Sequence, residues 1–320
     1  MRLVSWLIPI AVLGACGGDD SSTPDAPRDA YVPPWWQPMP GDTKNWDVQL
    51  HAPFDLSEAR VMYDVDLWAL TPATMIDYGD GDPVTVPAGA LAGMIDALHA
   101  RTPKPVVICH VDTGAIRLGD PDARKFPGFE ASPPDRPTAP KAGSVIGWST
   151  TDVDPTERFL DLRPAARAMW SAAMWKRLDL AKQIGCDGVE PDRNDMVMSD
   201  PGFTIDITEQ TSWYVEVAAQ AHMRMLSAGM KGADQIPGQT DALADDFDWA
   251  MPERCAEFMG CDNLRPFINA HKAVFSIDYS TDIYGAPQTP SLLCSRLGLI
   301  QDGLVKDAAL TSAFRQQCTP

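Results

Sequence analysis

The sequence predicts an α/β fold, a single-domain (β/α)8 barrel, and three observations carry that prediction. Eight short apolar runs recur after residue 41. Segments with helical spacing lie between most of them. Polar groups, mostly carboxylates, close nearly every run. Alternating strand and helix signals argue for a mainly parallel sheet with helices outside it. Eight such strands within residues 41–320 suit a barrel. A doubly wound sheet is the competing architecture, but no Gly-rich dinucleotide loop follows the first run.

In chain order the runs are Trp46–Leu50, Arg60–Leu67, Val106–Val111, Phe159–Leu162, Gly188–Asp192, Gly229–Lys231, Phe247–Met251 and Ala273–Tyr279. The helical segments are Ala88–Ala100, Ala165–Ile184 and Thr208–Ser227. Polar residues at the C-terminal ends of barrel strands are where such a fold builds a site. Here they are Asp64 and Asp66, Asp112, Asp161 and Arg163, then Glu190, Asp192 and Asp195, then Lys231, Glu253, Asp278 and Tyr279. One of these alone could be a cap or a turn; carboxylates at most strand ends point to function.

The first sixteen residues stand apart. Arg2 supplies a positive start, Leu3 to Leu13 is apolar, and Leu13-Gly14-Ala15-Cys16 reads as a small-residue cleavage site. The apolar run is too short to span a bilayer. Its form resembles a bacterial lipobox, which would make Cys16 a lipid anchor and the protein a lipid-anchored, secreted component of the cell envelope. Residues 17–40 are rich in Gly, Asp, Ser and Pro and read as a flexible linker, with Trp35 and Trp36 expected to dock on the barrel.

The net charge of −18 disfavours nucleic acid as a partner and favours a cationic one. No Cys/His spacing resembles a zinc site, so neither metal nor cofactor is expected, and the chain is expected to be a monomer. Of seven cysteines, six remain after Cys16. A secreted context permits disulfides. Cys255–Cys261 and Cys294–Cys318 are the expected bridges. Cys109 and Cys186, beside apolar runs, are expected as buried thiols, with a third bridge as the alternative.

Gly185-Cys186-Asp187-Gly188-Val189-Glu190-Pro191-Asp192, with Asp195 beyond it, resembles the signature of glycoside hydrolase family 114, the endo-α-1,4-polygalactosaminidase-like enzymes. The resemblance runs along nearly the whole barrel. It includes Trp46 and Gln49, Tyr63-Asp64-Val65-Asp66-Leu67, Arg158-Phe159-Leu160-Asp161-Leu162-Arg163, Glu253-Arg254-Cys255, and Val274-Phe275-Ser276-Ile277-Asp278-Tyr279. Several strand-end positions depart from the family pattern. His110 stands where Tyr is usual, Asp112 for Ser, Arg193 for Asn, Gly232 for Asn and Asp278 for Glu.

Glycosidic cleavage usually needs two carboxyl groups flanking the scissile bond. The resemblance implies that Asp192 is the nucleophile and Glu253 the general acid/base. It also implies a polysaccharide substrate, a cationic amino-sugar polymer with α-1,4-linked galactosamine, attacked internally. Glu190, Asp195, Asp64 and Asp66 would bind amino groups or hydroxyls. Trp46 would stack on a sugar face, and Gln49, His110, Lys231, Asp278 and Tyr279 complete the expected substrate contacts. Asp161 with Arg163 reads as an ion pair, and Asp195 as either a ligand or a helix cap. Arg193 could hold Asp192 ionised or fill the gap between the catalytic pair. The last possibility defines the alternative function, a surface lipoprotein that binds polysaccharide without cleaving it. Two other motifs are set aside. Asp112-Thr113-Gly114 lacks the second Asp an aspartic protease needs. Asp77, Asp80 and Asp82 lack the closing Glu of a calcium loop.

Overall fold

Strand pairing begins with Trp46–Gln49 (β1), and side-chain alternation along it sets up everything that follows. In the computed structural model, which describes residues 33–41, 44–151 and 155–318, β1 opens a six-stranded parallel sheet. Its other members are Met62–Asp66 (β2), Val106–Asp112 (β3), Gly188–Asp192 (β4), Ser227–Lys231 (β5) and Trp249–Met251 (β6), in that spatial order. The sheet is curled. Past β6, isolated parallel bridges join Ala250 to Val274 and Glu253 to Ile277. They lead to Ile277–Tyr279 (β7), which pairs in parallel with Leu304–Lys306 (β8). The strand Arg315–Gln317 pairs antiparallel to β8. The end of this second sheet lies beside β1: Leu50 N donates to Leu310 O at 2.8 Å, and Lys306 Nζ lies 2.9 Å from Asp47 Oδ1. Among the described residues no continuous ladder joins β6 to β7 or β8 to β1.

Two expectations change here. The run Phe159–Leu162 is not the fourth parallel strand. Its first half, Phe159 and Leu160, ends the strand Glu157–Leu160, which pairs antiparallel with Ala115–Arg117 and Ile146–Ser149. β3 therefore pairs directly with β4. The missed member is β8, whose three residues end in Lys306 and form no apolar run.

Alternation along the strands splits the core in two. Tyr63, Val65, Val107, Cys109, Val111 and Val189 face the helices. Trp46, Val48, Met62, Ile108, Trp249 and Met251 belong to a separate cluster with Phe275 on the concave side. The helices cover the outer face. Pro164–Ile184 starts with Pro, which needs no N–H partner there, and stops at Gly185, whose φ of 98° suits a left-handed cap. Its buried residues include Trp170, Met174, Leu178 and Ala181 at helical spacing. Ile207–Met223 is closed by a capping box of Asp206 and Glu209.

The concave cluster floors the N-terminal end of the sheet. Phe275 meets Trp46 and Trp249 edge-on, with ring centroids 5.2 and 5.5 Å apart. Gly229 makes the space: a Cβ there would lie 2.2 Å from the Trp249 ring. The predicted linker ends in this floor. Trp36 stacks on Phe275, Trp35 stacks on His222 and its indole N–H donates to Asp248 at 2.9 Å, and Ala273 N donates to Pro38 O. Residues 34–38 are thus docked structure rather than linker. Cys16 and the rest of the predicted leader and linker up to residue 32 lie outside the described residues.

Cys109 and Cys186 form a bridge rather than two thiols. Cys109 points to the helix side of β3 and Cys186 lies just ahead of β4, so pairing of those strands brings the two Cα atoms to 5.9 Å. The bridges Cys255–Cys261 and Cys294–Cys318 are as expected. No helix among the described residues is long and apolar enough to cross a membrane.

Candidate active site

At the C-terminal ends of the strands, the concave face turns from apolar to ionic. In-register pairing makes this a lattice. Asp66 sits opposite His110, His110 opposite Glu190, and Asp112 opposite Asp192. Side chains two apart share a face, so Asp64 and Asp66, His110 and Asp112, and Glu190 and Asp192 all turn inward. Lys231 enters from β5.

His110 is the hub. Its Nε2 lies 3.3 Å from Asp192, 3.6 Å from Asp112 and 3.7 Å from Glu190, and its Nδ1 is 4.0 Å from Asp66. Burial alone would keep this imidazole neutral, but the carboxylates, Glu190 foremost, push its pKa up to about 10. Lys231 Nζ, also buried, is 2.8 Å from Glu190 and 3.8 Å from Asp192. Burial would raise the Asp192 pKa. Lys231, His110 and Arg193 overcome it and hold Asp192 well below the usual carboxylate range. Glu190 goes the other way: burial lifts it to about 7 despite Lys231. Asp64 is fully buried, and neither carboxylate oxygen has a hydrogen-bond partner. Burial and the Glu190 charge raise it well above its ordinary value. One end of the site thus holds an ionised Asp192 beside carboxyls that keep their protons more readily.

The turn after β3 folds onto Asp192, with Thr113 N and Gly114 N donating to its carbonyl at 3.0 and 3.2 Å. Gly114 is required there, because a Cβ would lie 1.9 Å from Arg193 O. Arg193 has a left-handed φ of 63°. Its backbone N donates to Asp192 Oδ1 at 2.6 Å, while its Nε faces Glu157 at 2.8 Å. The guanidinium is therefore drawn toward Glu157 and makes no direct ion pair with Asp192, the pairing considered from sequence.

Glu253 follows β6, and its Oε1 accepts a hydrogen bond from the Tyr279 hydroxyl. Asp195 heads the short 3-10 helix Met196–Met198 without capping it. Its carboxyl fits against Gly232, where a Cβ would lie 2.6 Å from Asp195 Oδ2. Burial and the nearby Asp192 charge push its pKa up to about 6.

Other expected contacts are committed elsewhere. Trp46 lies at the N-terminal end of β1, fully buried, with its indole N–H donating to Asp302 O; it offers no face to a sugar. The Gln49 amide is used at both ends, on Asp47 and on the backbone of Asp55. Asp66 caps the helix Leu67–Leu70 through Ala69 N and meets Arg117 at 3.4 Å. Asp278 accepts from Glu257 N at 3.1 Å and so fixes the loop after Glu253. Asp161 and Arg163 form the expected ion pair at 2.6 Å. Asp80 and Asp82 are met by Lys125 and Arg124, not arranged as a calcium loop.

Four site residues carried no signal in the sequence. Arg117 and Glu157 extend the ionic lattice, and Asn194 rivets the loop after Asp192 by accepting from Thr113 and Trp213. Asp234, in the turn after β5, is buried and raised to about 7 by burial and by neighbouring carboxylates. Arg117 and Glu157 sit at the paired ends of two short antiparallel strands, Asn194 and Asp234 sit in loops, and most of their partners lie tens of residues away. Ligand atoms of His110, Asp112 and Asp192 lie within 4.8 Å of one another, the reach of one metal ion.

The profile of glycoside-hydrolase family GH114 matches residues 26–320. The chain belongs to that family. It is a glycoside hydrolase. Among solved structures it is similar to Ega3 of Aspergillus fumigatus in complex with galactosamine, at 25% identity and a TM-score of 0.65, over 88% of this chain and 97% of that one. It also shares its fold with a variant of the glycoside hydrolase domain of PelA from Pseudomonas aeruginosa, at 11% identity and a TM-score of 0.52, over 87% of this chain and all of that one. No curated protein matches the chain.

Proposed function

We propose that this GH114 member cleaves an α-1,4-linked, galactosamine-containing polysaccharide at internal bonds, with Asp192 as nucleophile and Glu253 as general acid/base. The observation that carries this reading is the ionic setting of Asp192, with a second carboxyl, Glu253, across the sheet. Asp192 is held ionised by Lys231 and His110, as an attacking carboxylate must be. Glu253 stands two strands away, oriented by the Tyr279 hydroxyl. A sugar between them would meet attack from one side and proton donation from the other. The amino-sugar part rests on the likeness to Ega3, whose structure holds galactosamine, and on the acidity of the chain. Engagement of Arg193 by Glu157 favours cleavage over mere binding, because it draws the guanidinium away from Asp192.

We read the curled sheet as a (β/α)8 barrel, with β7 and β8 as its last two strands. We further propose that Cys16 carries a lipid anchor at the cell envelope.

The test is product release from a defined α-1,4-galactosamine oligomer. The parent releases shorter oligomers, while Asp192→Asn and Glu253→Gln, folded by circular dichroism, do not. A folded parent that binds the oligomer without shortening it would sink the reading.

A further inference from the structure

We propose that Asp195 and Asp234 form the receptor for the protonated amino group of the sugar held between Asp192 and Glu253, a site that deepens, and depends on, the hydrolase reading above. The argument starts from position. Asp192 closes β4 and Glu253 follows β6. The loop after β4 carries Asp195, and the turn between β5 and the next helix carries Asp234. Both lie between the two catalytic strands in sheet order. In a 2-amino sugar the nitrogen is one carbon from the anomeric centre. A sugar with that centre between Asp192 and Glu253 would carry its nitrogen over the strand ends from which both segments leave.

The second step is accounting for charge. In the lattice around His110, each carboxylate cluster has its own cation: His110, Lys231 or Arg117. Asp234 has none. It is 3% exposed, and among the described residues its side chain makes no hydrogen bond or ion pair with another residue. The groups that act most on it, besides burial and its own amide, are the carboxylates Asp195, Glu253 and Asp278. Asp195 likewise spends no hydrogen bond on the helix it heads. A buried carboxylate with no partner is costly, and a primary ammonium brings both the charge and three donors.

The third step is how the chain makes the space. Gly232 and Ala233 are both left-handed, at φ 67° and 65°. Asp234 follows directly on this turn, and the bare Cα of Gly232 lets Asp195 Oδ2 approach where a Cβ would be 2.6 Å away. Any side chain at 232 would push Asp195 out of the pocket.

The experiment compares binding of galactosamine, N-acetylgalactosamine and galactose, which have no bond to cleave, by calorimetry at pH 7 to the full chain and to Asp234→Asn and Asp195→Asn. Turnover of the oligomer by the parent is measured alongside. A charge-assisted contact predicts that the parent prefers galactosamine over galactose by about tenfold or more. Asn at 234, on protein whose fold is verified by circular dichroism, is expected to remove most of that preference. Should Asp234→Asn fail to fold, Asp195→Asn is expected to show the same selective loss. A parent that cleaves the oligomer yet binds the three sugars alike, or variants that keep the preference, would overturn the inference and leave the hydrolase reading standing. A parent that neither cleaves nor binds would remove both.

Discussion

The same strands end in two opposite chemistries. At their N-terminal ends the concave face is a floor of Trp46, Met62, Trp249 and Phe275, with Trp36 laid against it. At their C-terminal ends it is a mouth of Asp64, Asp66, His110, Asp112, Glu190, Asp192 and Lys231, nearly as buried as the floor. Burial means opposite things in the two places. Removing aromatic rings from water stabilises the floor by roughly 2–3 kcal/mol per ring. Removing carboxylates from water costs energy unless cations answer them. In the mouth the cations answer some carboxylates and leave others wanting. The floor therefore supplies stability, and the mouth draws on it.

That contrast can be broken by substitution at either end. The largest expected effect is at Asp192. Asp192→Asn lowers oligomer turnover by on the order of 10⁴-fold, the scale of losing a nucleophile, measured under saturating substrate on protein of verified fold. Next comes the floor. Trp249→Ala leaves a void beneath Gly229 and Phe275 and lowers unfolding free energy by about 3–5 kcal/mol in urea titration. Turnover per folded molecule is expected to hold.

A smaller effect of opposite sign is expected at Asp234. Its pKa is raised to about 7 in the fold, mainly by burial, against about 3.9 for an unfolded Asp. The folded state thus binds the proton more tightly. The group costs nothing below about pH 4, and the cost grows as pH rises through 7. Asp234→Asn should match the parent near pH 4 and exceed its stability at pH 8 by roughly 1–4 kcal/mol. Equal stabilities at both pH values would contradict the assignment of that cost. His110 has the reverse dependence. Held at about 10 by the surrounding carboxylates against burial, it stabilises the fold fully below its ordinary value near 6.5. That contribution is lost as pH rises through 10. The gap in urea midpoint between the parent and His110→Gln is therefore expected to be widest at pH 6 and to close above pH 10.

The floor was easier to read in the sequence than the mouth. Apolar runs announce buried strands, and seven of the eight expected runs fall in the parallel scaffold or its continuation. Phe159–Leu162 misled because an antiparallel strand buried on both faces has the same apolar signature. β8 escaped because Leu304–Lys306 is too short to show a pattern. Strand-end carboxylates were visible as residues, but their division of labour was not. Asp66 and Asp278 serve the backbone, while Glu190 and Asp192 meet Lys231. The difference lies in partners supplied by turns. Arg117 and Glu157 sit on short antiparallel strands and Asp234 in a turn, and their roles exist only once distant segments are brought together. Cys109 and Cys186 became legible as a bridge for the same reason, when β3 and β4 met directly.

The central claim is that the mouth works and the floor holds, and Glu253 tests it most directly. Among the described residues Glu253 has a single side-chain hydrogen-bond partner, Tyr279, so replacing it should disturb the packing little. Turnover and urea midpoint would be measured on the same preparation of Glu253→Gln. The account predicts turnover reduced by about 10²–10⁴-fold, the worth of a general acid, with unfolding free energy within about 1 kcal/mol of the parent. A variant that keeps its turnover, or loses it only in proportion to the fraction unfolded, would contradict the account.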